Sequence, residues 1–78
     1  MSRQETTESD ANVILEFLKS EYRAGHTEMG RADIQRGTGL PLEKLGPAIN
    51  VLEFASPPAI KRVPKGTSSV WALANPEA

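Results

Sequence analysis

Gly37-Thr38-Gly39 divides the middle of the chain between two helical patterns, and this break constrains the fold more than any other feature. Before it, Ala32 and Ile34 supply a small apolar face. The glycines, which tolerate positive φ, then interrupt the pattern and predict a helix that stops at about Arg36. After Leu40, the apolar residues Leu45, Ile49 and Leu52 recur at i, i+4 and i+7 with Ala48 beside them. That is one stripe of an amphipathic helix, which must lie on a core. Pro47 falls inside this second helix and lacks the N–H that would bond one turn back. Either the helix starts late, near Lys44 to Gly46, so that Pro47 falls in its first turn, or it is kinked. Because Pro is well tolerated only in a first turn, the sequence favours the late start, with Leu42 to Lys44 in a separate turn.

A chain of 78 residues with 38% hydrophobic residues forms one small domain, since two would leave neither a core. Most of its apolar residues must serve packing, so function has to lie on the surface. The absence of Cys excludes disulfides and thiolate metal sites. No apolar run reaches the roughly 18 to 20 residues of a membrane span, and the polar start MSRQETTESD lacks the regions of a signal peptide, so a cytoplasmic protein without a membrane partner is expected. The net charge of −1 is not that of a non-specific nucleic-acid coat protein, but the charges are unevenly spread. Arg3 stands against Glu5, Glu8 and Asp10 at the start, whereas Lys61, Arg62 and Lys65 face only Glu77 after Pro57.

Residues 1–8 hold nothing to bury and read as a flexible acidic tail. Ser9 and Asp10 are good N-cap residues for a long first helix in which Ala11, Ile14, Leu15, Leu18 and Tyr22 follow at helical spacing, with Val13 and Phe17 widening the stripe. It ends at Ala24-Gly25. His26 to Met29 is too short for a helix and reads as a short strand or an extended linker. After Ser56-Pro57-Pro58 the period becomes extended. The runs Ala59–Val63 and Ser69–Leu73 predict a β-hairpin joined by Pro64-Lys65-Gly66-Thr67-Ser68. An isolated hairpin is marginal in water, so Ile60 and one of Trp71 and Leu73 must pack on the helices. The folded domain is therefore expected over residues 9–74, with 75–78 frayed.

Helix, short extended piece, helix, turn, helix, hairpin is an order similar to that of winged helix-turn-helix domains. VILEFLKSE in the first helix, ADIQRGTGLP across the turn, GPAINVLEF in the third helix and AIKRVPKGTSSVWAL in the hairpin resemble the corresponding parts of bacterial and archaeal transcriptional regulators. The resemblance covers about Asp10 to Leu73. It implies an α+β, mainly α fold: three helices followed by a two-stranded wing, with room for a short extra strand between the first two helices. SSVWAL is also similar to the wing of members that bind left-handed DNA. Those carry an Asn and a Tyr on the recognition helix where this chain has Gly46 and Asn50, which speaks against that variant.

The resemblance implies duplex DNA as partner, with the third helix in the major groove and the wing on the backbone. The outward residues of that helix are then Glu43, Lys44, Gly46, Pro47 and Asn50, of which Asn50 suits a bidentate pair with adenine. Lys61, Arg62, Lys65 and the hydroxyls of Thr67, Ser68 and Ser69 suit phosphate, as do Arg31 and Arg36 around the second helix. Base readout from such a helix is thin, so a dimer or a larger assembly is needed for firm binding. The second reading is a protein-docking domain acting through Val51 and Phe54, extended by Pro41, Leu42 and Pro47. The sequence favours Phe54 folding back onto Pro57-Pro58 or the hairpin. Tyr22, Trp71 and Phe17 read as core, and His26 as a surface loop residue without metal-ligand spacing. No nucleophile is paired with a base and no phosphate loop is present, so neither an enzyme, a small-molecule substrate nor a cofactor is expected.

Overall fold

The computed structural model describes residues 3–75, with side chains from residue 7. Met1 and Ser2 of the expected tail, and the expected fray beyond Asn75, lie outside the described residues. The first helix, α1, spans Arg3–Arg23, so most of the expected tail is helical and Ser9 and Asp10 do not cap it. Once Ala11, Ile14 and Leu18 anchor the helix in the core, each added residue gains a backbone bond for little further ordering, and Gln and Glu are good formers at its N-terminal end. The helix closes on a Schellman motif. Gly25, at φ 95°, donates its N–H to Tyr22 O at 3.0 Å, and the His26 N–H reaches Glu21 O at 2.8 Å.

Helix α2 spans Arg31–Thr38 and α3 spans Leu42–Glu53. The first of these runs past the predicted stop at Arg36, because Gly37 is a helical residue and Gly39 supplies the left-handed cap at φ 76°, its N–H bonding Gln35 O at 2.8 Å. The Thr38 hydroxyl donates to Ile34 O and accepts from the Leu40 N–H, which seals the turn. Ala32 is exposed, so the buried face of α2 rests on Ile34 alone.

The late start expected for α3 is also overturned: Pro47 lies in the helix interior. Two local features accommodate it. The residue before it is Gly46, whose missing Cβ removes the clash that Pro imposes on its predecessor, and the carbonyl that loses its donor belongs to exposed Glu43, within reach of water.

Strands β1 (Met29–Gly30), β2 (Ile60–Lys65) and β3 (Ser68–Leu73) form an antiparallel sheet in the order β1-β3-β2. The expected two-stranded hairpin thus gains a third strand, as Met29 pairs with Trp71 and Gly30 with Val70. The hairpin loop is tighter than the sequence implied. Pro64 pairs with Ser69 and Lys65 with Ser68, leaving only Gly66 and Thr67 to turn the chain. Gly66 at φ 62° followed by a residue of negative φ is the sign pattern of a type II′ turn, which matches the twist of the strands. Pro64 is tolerated because β2 is an edge strand.

One core joins these layers. Ala11, Ile14 and Leu18 of α1 meet Ile34 of α2, Leu45, Ala48, Ile49 and Leu52 of α3, and Ile60 and Trp71 of the sheet. Each large side chain contributes roughly 1.5–3 kcal/mol on burial. Leu15, Phe17 and Leu73 are half-buried against it, whereas Val13, expected in the stripe, is exposed. The chain is a small, mainly helical α+β domain.

Candidate nucleic-acid interface

The buried stripe of α3 leaves Glu43, Lys44, Pro47, Asn50, Val51 and Phe54 exposed, while Gly46 is half-buried. By helical spacing Glu43, Pro47, Asn50 and Phe54 lie one above the other, facing away from the core. Phe54 does not fold back onto the prolines or the hairpin; it is 76% exposed, with Val51 beside it at 40%. The reason is local. Phe54 takes the C-cap position, bonding its N–H to Asn50 O, and points outward while the Ala59 N–H ties the returning chain to Leu52 O.

Strand alternation sorts the basic residues of the hairpin onto two faces. Arg62 pairs with Trp71 on the face turned to the helices, whereas Lys61, Val63 and Lys65 lie on the other. Trp71 is buried at the centre of the sheet, and two guanidinium groups lie over its ring: Arg62 at 5.7 Å and Arg31, the first residue of α2, at 5.8 Å from the centroid. Both are within cation–π range. A cleft of about 520 Å³ opens there, lined by Gly30 and Arg31 on one wall and by Arg62, Thr67, Ser68 and Ser69 on the other. Residues some thirty positions apart in the chain are thereby brought into one cationic, hydroxyl-lined groove.

The remaining cations are placed differently. Arg36 sits at the other end of α2, 3.5 Å from Asp33, and Lys65 pairs with Glu28 at 3.3 Å across the outer sheet face. Lys44 and Lys61 are exposed and have no ion pair among the described residues. The candidates therefore form no single patch: Arg31, Arg62, Thr67 and Ser68 converge, Lys44, Gly46, Pro47 and Asn50 share α3, and Arg36, Lys61 and Lys65 stand apart.

Glu53, the last residue of α3, is a member of the site that sequence reasoning missed. Its Oε1 accepts the Trp71 indole N–H at 3.1 Å and lies 3.6 Å from Arg62 Nη2. The one sequence signal was the hairpin register. A two-residue loop at Gly66-Thr67 places Arg62 opposite Trp71.

His26 lies exposed in the loop after α1, its Nδ1 3.6 Å from Glu21 Oε2. Among the described residues no group of three or more His, Asp or Glu is placed to hold a metal ion, and no helix is long and apolar enough to cross a membrane. Comparison of the chain with protein-family models, curated proteins and solved structures finds no match.

Proposed function

We propose that the chain is a winged-helix domain that binds duplex DNA as a small transcriptional regulator or accessory factor, with α3 toward the major groove and the β2–β3 hairpin along the backbone. The observation that carries this reading is the convergence of Arg31 and Arg62 over Trp71 in a cleft lined by Thr67, Ser68 and Ser69. Paired guanidinium groups and hydroxyls are the donors that phosphate takes, and here they belong to the hairpin and to the start of the helix preceding α3. The exposed Lys44 and Asn50 supply the base-facing side.

Titration of isotope-labelled protein with random-sequence duplex DNA, followed by NMR at low and then moderate salt, tests it. Shifts at Arg31, Arg62 and Ser68 and along Lys44 to Asn50, fading with salt, are expected. No shifts at low salt would overturn the reading.

The exposure of Phe54 and Val51 supports a second reading, in which α3 docks on protein. Phe54→Ser is then expected to abolish concentration-dependent association in analytical ultracentrifugation while leaving the circular dichroism unchanged. Association that survives the change removes this patch as an interface.

A further inference from the structure

Three of the cations assigned to the interface are held by carboxylates, and the three carboxylates are not equivalent. Asp33 beside Arg36 and Glu28 beside Lys65 have side chains 52% and 39% exposed, so water competes for both pairs, although Asp33 also accepts the Gly30 N–H at 3.3 Å. Glu53 beside Arg62 is only 16% exposed, and the Trp71 indole N–H fixes the oxygen that faces the arginine. Trp71 is itself a core residue, so this carboxylate is bolted to the frame. Arg31, over the same ring, has no carboxylate partner among the described residues.

We infer that Glu53 sets the affinity of the interface by competing with nucleic-acid phosphate for Arg62. This rests on the DNA-binding reading and names the residue that regulates it. Arg62 must give up or share a fixed internal counter-ion to neutralise a phosphodiester, so it contributes less than a free arginine would, and Arg31 carries the larger share. The same contact keeps Arg62 stacked on Trp71 when no nucleic acid is bound, so the side chain is already ordered when a phosphate arrives.

The test is a double-mutant cycle of Glu53→Gln and Arg62→Ala, read by fluorescence anisotropy on a labelled random-sequence duplex across a salt series. Gln keeps an oxygen to accept the indole N–H and removes only the charge. In the wild-type background Glu53→Gln is expected to tighten binding about two- to fivefold, the range an ion pair of this kind supports. It should also steepen the dependence of log K on log salt by up to about 0.9, one further phosphate neutralised. In the Arg62→Ala background the same change is expected to alter neither quantity. An equal gain in both backgrounds would show a general charge effect and overturn the inference, as would no gain in the wild-type background. These failures leave the DNA reading standing. Absence of binding by all four proteins would overturn that reading and this inference with it.

Discussion

Gly37 of α2 packs its bare backbone against the ring of Phe17 from α1: a Cβ added there would overlap the ring carbons Cε1, Cζ and Cδ1. The two helices approach this closely because one contributes no side chain. Replacing a helical Gly by Ala ordinarily stabilises by roughly 0.5–1 kcal/mol. Here the sign reverses. Gly37→Ala is expected to destabilise by about 1–2 kcal/mol, since the half-buried ring must vacate its position. Phe17→Leu in the same background should recover most of the loss. Urea denaturation followed by circular dichroism measures both, and a stabilised Gly37→Ala would mean that the ring turns aside freely.

Pro47→Ala is expected to stabilise the protein. The position is exposed, so no cavity forms, and Ala restores the donor for the Glu43 carbonyl. An interior Pro costs about 3 kcal/mol, of which its stiffening of the unfolded chain returns roughly 0.4–1. A gain of about 2 kcal/mol should appear as a raised denaturation midpoint with unchanged slope.

Trp71→Phe removes the indole N–H and leaves Glu53 facing Arg62 alone. The combined loss of a hydrogen bond to a charged acceptor and of buried volume is expected to destabilise by about 2–3 kcal/mol. Glu53→Gln, which keeps the acceptor, should cost far less. Thermal unfolding of the two variants side by side checks the ordering, and equal losses would separate stability from this bond.

On DNA, alanine at Lys61, Arg62 and Lys65 together is expected to weaken binding to every sequence alike. The salt dependence should flatten by up to about 0.9 for each phosphate that is no longer neutralised. Arg31→Ala alone should lose more than Arg62→Ala alone. Asn50→Ala should instead relax sequence preference at similar overall affinity. Binding measured on a small panel of duplexes at two salt concentrations distinguishes these outcomes.

The register of the hairpin shows how a small difference in loop length hides a site. With Pro64 to Ser68 as a loop, Arg62 is one of several basic hairpin residues with no particular neighbour. A turn at Gly66-Thr67 places it opposite Trp71, with Lys61 and Lys65 on the other face. A proline in a run ordinarily argues against a strand, and only the outermost place of β2 in the sheet makes Pro64 acceptable. β1 joins the sheet on the far side of β3, pairing residues some forty positions apart, and leaves the outer side of β2 open.

Local sequence by itself determined three helices in order, the apolar stripe of α3, the end of α1 at Ala24-Gly25 and the presence of a hairpin, because each depends on residues within a turn or two of one another. Tertiary structure decided the rest. The core anchors α1 firmly enough to carry its helix back to Arg3, and Phe17 makes Gly37 a packing residue rather than a helix breaker. It also brings Arg31, Arg62 and Glu53 around one indole. Those relationships join segments distant in the chain. Their energies arise only once the core has closed the intervening loops, so no local pattern records them.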